Sequence, residues 1–169
     1  MATEDLTWAF YSPENAYLYA RDRIQGRWPP GEHLIAQDAV YAYRYACDVI
    51  QGRFPEGEAV LAQDVHYAYW YALYVIKDRF PQGEAVIAQD PEYAYCYTRG
   101  VIQGRFPEGE AVIAQDAEHA YVYALNVIQG RFPQGEVAIV NDPDWASDYY
   151  NEFKDQFTEH EQVLWLLKI

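Results

Sequence analysis

The run Gln25-Gly26-Arg27-Trp28-Pro29 returns as Gln51-Gly52-Arg53-Phe54-Pro55, Lys77-Asp78-Arg79-Phe80-Pro81, Gln103-Gly104-Arg105-Phe106-Pro107 and Gln129-Gly130-Arg131-Phe132-Pro133, each time 26 residues on and never with an insertion. A period in the range of about 20 to 50 residues, held without slippage, marks stacked supersecondary units that cannot bury their apolar faces alone. This predicts an all-α fold, an α-solenoid of five to six 26-residue two-helix repeats with a cap at each end.

Each unit reads as a longer and a shorter helix. The longer begins at Ser12, Asp38, Asp64, Asp90, Asp116 or Asp142, all good N-cap types, with proline at the first helical position in Pro13, Pro91 and Pro143. It is expected to end at the glycine at 26, 52, 104 or 130, where a left-handed C-cap costs little, Asp78 being the departure. The shorter starts at the proline of the turn and carries Glu58-Ala59-Val60-Leu61-Ala62 or its equivalents. Glycine in its first turn weakens it, so packing must hold it. Residues 1–11 form an N-terminal half-repeat, 12–142 the repeats and 143–169 a C-terminal cap, all in one domain. In that cap Val163-Leu164-Trp165-Leu166-Leu167 is expected to fold over the last apolar face or to make a dimer contact.

On a wheel at 100° per residue, positions equivalent to Ala16, Tyr17, Tyr19, Ala20, Arg23 and Ile24 share one near-constant arc, which is the expected core, with tyrosine hydroxyls at its rim. Positions equivalent to Glu14, Leu18, Arg21 and Asp22 vary from unit to unit, so stacking does not dictate them. They supply the candidate partner-binding residues His66, Trp70, Leu73, Tyr74, Arg44, Arg99, Val122 and Leu125. The alternative is that curvature buries this arc and Trp70 is core.

A formal charge of -14, from 26 acids against 12 bases, argues against direct contact with nucleic acid or an anionic membrane and favours a protein partner with a basic surface. The candidate acidic surface comprises Glu58, Glu84, Glu110, Asp144, Asp148 and Glu152. A regular carboxylate array can imitate a nucleic-acid backbone, and a generic solvated surface is the other reading. The arginine ladder Arg27, Arg53, Arg79, Arg105 and Arg131 reads as partners for acids such as Glu58 or Asp64, or else as a phosphate stripe.

Catalysis finds no support in the sequence. His33, His66, His119 and His160 fall at unlike repeat positions with no metal-ligand spacing, and no nucleophile elbow, P-loop or dinucleotide fingerprint is present. No metal and no cofactor are expected. Cys47 and Cys96 match no disulfide framework or zinc spacing, which points to free thiols in a reducing, cytoplasmic compartment. No apolar run approaches the roughly 20 residues of a membrane span.

The stretch from Ala42 to Glu58, an alternating Tyr-Ala block followed by a Gly-Arg-Phe-Pro turn and acids, resembles tandem repeats of bacteriophage and bacterial hypothetical proteins, and the resemblance covers residues 12 to 142. Here phenylalanine replaces tryptophan after the first unit, and glycine stands after the turn where alanine is expected. The resemblance implies a phage or mobile-element origin, with the host-cell cytoplasm as setting, and transfers no activity. The expected function is a non-catalytic protein-binding repeat, such as an inhibitor of a host protein. The alternatives are an acidic nucleic-acid mimic that blocks a CRISPR effector or restriction nuclease, and a scaffold component. The chain is expected to be a monomer or a homodimer through its C-terminal helix.

Overall fold

A computed structural model describes residues 6–168. In chain order its α-helices are α1 (Pro13–Tyr19), α2 (Pro29–Ile35), α3 (Ala39–Arg44), α4 (Glu58–Leu61), α5 (Val65–Trp70), α6 (Pro81–Ile87), α7 (Pro91–Tyr97), α8 (Pro107–Ile113), α9 (Ala117–Tyr123), α10 (Glu136–Val140), α11 (Pro143–Phe153) and α12 (Glu159–Leu166). Among the described residues there is no strand, and no helix is long and apolar enough to cross a membrane. The fold is all-α and its helices follow the 26-residue period. The chain groups into two compact units, Met1–Val86 and Ile87–Ile169, the division falling within α6.

Within the first unit α1 packs on α3 and α3 on α5, and within the second α7 packs on α9 and α9 on α11. Close approach is set by alanine: Ala42, Ala46, Ala68 and Ala72 are wholly buried, as are Ala94, Ala120 and Ala124. The predicted caps form. The Ser12 side chain accepts from the Asn15 N–H, and Asp38, Asp64, Asp90, Asp116 and Asp142 likewise accept N–H groups of their first turns. Six long helices therefore start by satisfying orphan donors locally.

The ends of the long helices differ from expectation. Five of them continue directly into a π-helical turn, at Ala20–Ile24, Tyr45–Ile50, Tyr71–Ile76, Thr98–Ile102 and Ala124–Ile128. The left-handed residue that closes each is Gln25, Gln51, Lys77, Gln103 or Gln129, with φ between 54° and 57°, and no described glycine has positive φ. The glycine after it keeps ordinary backbone and sends its N–H back six residues, Gly52 to the Ala46 carbonyl at 3.1 Å. That position does not require glycine, which is why Asp78 is accepted there. The widened turn also breaks the 100° wheel after its first residue. Arg23 and Ile24, expected in the core arc, lie in the first of these turns and are exposed, while their counterparts Val49, Ile50, Val75 and Ile76 are half-buried.

Glycine is required instead in the shorter helix. A Cβ at Gly57 would stand 2.5 Å from the Phe54 ring and 3.0 Å from Ala42, and one at Gly109 2.6 Å from Phe106 and 2.9 Å from Ala94. The turn phenylalanine lies on its own helix and leaves no room for an alanine at that position. Phe54, Phe80, Phe106 and Phe132 are accordingly buried.

The first unit opens with a 3-10 turn at Thr7–Phe10, whose Ala9 is buried and whose Trp8 and Phe10 rings meet Tyr19 and Trp28. It occupies the place of a shorter helix, as expected of a half-repeat, with residues 1–5 of that segment outside the described residues. In the second unit α11 still carries the repeat's alanine and tyrosine as Ala146 and Tyr149, both buried, so the pattern persists one helix past Asp142. α12 then closes over it: the Trp165 ring stacks on Tyr149 at 5.4 Å and its indole N–H donates to the Ala146 carbonyl.

Candidate functional site: the aromatic face of the long helices

Two faces of each long helix must be separated before a site can be placed. The inner one holds a clasp that recurs twice in each unit. In the first unit Arg53 donates from Nε and Nη2 to both carboxylate oxygens of Glu58, while the Tyr71 hydroxyl donates to Glu58 and accepts the Phe54 N–H at 2.7 Å. Arg27, Glu32, Tyr45 and the Trp28 N–H repeat this geometry. Arg105, Glu110, Tyr123 and Phe106 do so in the second unit, as do Arg131, Glu136, Tyr149 and Phe132. Arg79 and Glu84 form the same ion pair.

Each clasp satisfies a buried carboxylate from two sides and ties the turn to the next long helix, which removes the desolvation cost an isolated charge would carry. Among the described residues no buried side-chain polar atom lacks a partner. Burial lifts the Tyr71 and Tyr123 hydroxyls to about 12, and the neighbouring glutamate adds to the rise. The Arg105 hydrogen bonds hold the Glu110 carboxyl below its ordinary value.

Two expectations are corrected by this arrangement. Glu58, Glu84 and Glu110 are not an acidic surface: all three are buried and neutralised by arginine, because the carboxylate that holds the turn arginine lies beneath the turn. The hydroxyls of Tyr45, Tyr71, Tyr123 and Tyr149 do not reach the rim, being consumed inside the clasp. Asp144, Asp148 and Glu152 are exposed, four residues apart along α11, and among the described residues none has a cation within ion-pair distance.

The opposite face is an aromatic band. In the first unit the Tyr17 ring meets Tyr41 at 5.9 Å and Tyr43 meets Tyr67 at 5.7 Å, while in the second Tyr95 meets His119 at 6.0 Å and Tyr121 meets Trp145 at 5.6 Å. Each rung joins a tyrosine to the ring 24 residues on, one helix further. The wheel missed the second ring of each rung, although Tyr41 and Tyr67, and likewise His119 and Trp145, stand 26 residues apart in the sequence. Polar groups tie further rungs: the Tyr17 hydroxyl donates to Asp48 at 2.6 Å, and Asn126 donates to the Tyr95 hydroxyl.

The band is densest around Trp70. Its indole is half-buried and touches the rings of Tyr43, His66 and Tyr67. His66 is exposed, Leu73 is half-buried and Tyr74 is 60% exposed. The arc is therefore open to solvent at its edge. Arg44, exposed, lies over the Tyr41 ring at 5.9 Å in the same unit. Arg99, Val122 and Leu125 belong to the second unit, where Arg99 donates to the Tyr95 hydroxyl and the two aliphatic side chains are half-buried.

Burial raises the Cys47 and Cys96 thiols, which keeps them protonated and weakly nucleophilic. Among the described residues no three His, Cys, Asp or Glu side chains come together as a metal ion would need. What the band offers is rigid aromatic area with hydroxyl, imidazole and guanidinium groups at its margin. Comparison of the chain with family models, with curated proteins and with solved structures gives no match in any of the three.

Proposed function

We propose that the chain is a non-catalytic protein-binding repeat whose recognition surface is the aromatic face centred on Trp70, with His66, Leu73, Tyr74 and Arg44 around it. One observation carries the reading: a half-buried tryptophan inside a cluster of rings, opening onto a mostly exposed tyrosine, at positions that the repeat leaves free to differ. Large aromatic side chains held rigidly at a surface lose little entropy on docking and supply most of the energy of protein interfaces. The charge of -14 selects a partner with a basic surface. Inhibition of a host protein by a phage-borne chain is one setting that fits.

A second reading, the acidic decoy, now rests chiefly on the exposed C-terminal acids, Asp144, Asp148 and Glu152 foremost, since Glu58, Glu84 and Glu110 are buried. The two are separated by capture from a lysate of the cells that make the protein, with the bound partner quantified by mass spectrometry. Loss of at least ten-fold of the partner on Trp70→Ala, with little change for the triple variant Asp144→Asn, Asp148→Asn and Glu152→Gln, supports the aromatic surface. The reverse pattern, with binding that collapses in salt and is competed by duplex DNA, transfers the function to the acids.

A further inference from the structure

We propose that the outer face of α12 is a self-association surface, on which α12 of a second copy of this chain packs across a two-fold axis. Trp165 points inward, and the opposite side of the helix carries Val163, Leu164, Leu166 and Leu167, which are 56%, 49%, 55% and 78% exposed. At 100° per residue these four occupy one continuous arc of about 160°. Val137 of α10, also exposed, lines the same shallow groove as Leu164 and widens the patch. The shorter helices of the repeats place Ala59, Ala85 or Ala111 outermost, so the repeat does not call for leucine there.

The pattern is self-complementary. Val163-Leu164-Trp165-Leu166-Leu167 is apolar symmetrically about Trp165, so antiparallel pairing sets Val163 against Leu167 of the second copy and Leu164 against its Leu166, as an isologous contact requires. Antiparallel helix dipoles also favour it. The helix is held in place in advance by a capping box between Thr158 and Glu161, by the Trp165 bond to Ala146, and by a latch at Arg131. There Glu161 stands 3.1 Å from the guanidinium, which lies 3.8 Å above the Phe157 ring. A preformed surface loses less ordering entropy on binding.

Area bounds the class of interface. The exposed apolar side chains amount to on the order of 450 Å² per copy, the size of the largest apolar patch a soluble monomer carries and below the roughly 800 Å² per partner of a standard interface. A patch of that size fits a weak, concentration-dependent dimer rather than a permanent one. Two chains of charge -14 repel at long range, so screening strengthens the pairing.

Sedimentation equilibrium of the full chain, from about 5 to about 500 µM at low and high salt, tests this against Leu167→Glu and Val163→Glu, with circular dichroism to confirm that helix content is kept. The wild type should pass from monomer to dimer at a midpoint that falls as salt rises, and each variant should raise that midpoint at least ten-fold. Three outcomes overturn the proposal: a wild type monomeric throughout, growth beyond the dimer into open polymers, or variants that associate as the wild type does. Should one variant unfold, the other decides, and a wild type that stays monomeric overturns the proposal without either.

Discussion

Tyr71 and Trp70 are neighbours in sequence and opposites in role. Tyr71 is wholly buried, with its hydroxyl holding a turn N–H and a carboxylate, and its counterparts recur at 26-residue spacing as Tyr45, Tyr97, Tyr123 and Tyr149. Trp70 stands where the same repeat has Leu18, Arg44, Cys96, Val122 or Asp148. The inner face is uniform because each clasp must satisfy the same buried groups. The outer face varies because the stack asks only that something cover the rings, and this freedom is what a binding surface needs.

If that contrast is sound, Glu58→Ala is the most damaging substitution. It leaves the Tyr71 hydroxyl without its acceptor and Arg53, itself 58% exposed, without its partner, and should cost about 3 kcal/mol in denaturant unfolding. Acid should do the same by degrees. Glu110 is held below the ordinary carboxylate value, so its contribution is present above about pH 4.5 and is lost as pH falls through the lowered value. Unfolding free energy should therefore decline below about pH 4.5, with a shallower decline in Glu110→Gln.

Tyr71→Phe keeps the ring and removes two hydrogen bonds, for an expected loss of about 1.5 kcal/mol by the same measurement. Gln51→Gly runs the other way. A left-handed glutamine gives up steric energy that glycine does not, so melting should rise by an amount equivalent to about 0.5 kcal/mol. Arg44→Ala, on the outer face, should fall within about 0.5 kcal/mol of the wild type, and a larger loss would show that this face is structural after all.

Local signals in the sequence reached far into the fold. The N-caps, the period and the alanine positions each follow from a rule acting over a few residues, and all of them formed. The arginine ladder was legible as ion pairs because every unit carries an acid at the same short remove. What failed were statements about facing. The wheel assumed an unbroken α-helix and put Arg23 and Ile24 in the core, whereas the first long helix ends in a π-helical turn and these two side chains are exposed there. The carboxylate ladder was placed at the surface because glutamate is usually there, whereas only the fold brings a tyrosine hydroxyl and a guanidinium to Glu58 and so makes its burial tolerable.

The candidate site divides in the same way. The outward positions around Trp70 could be picked out from their variation, while the partner ring of each rung lies 24 residues away and becomes a neighbour only when one long helix packs on the next. The period by itself determined that helices would recur and which residues would be alike. The tertiary structure alone decided which side of each helix looks inward, since that depends on where the chain reverses, and here it reverses through a left-handed glutamine or lysine that no local preference favours.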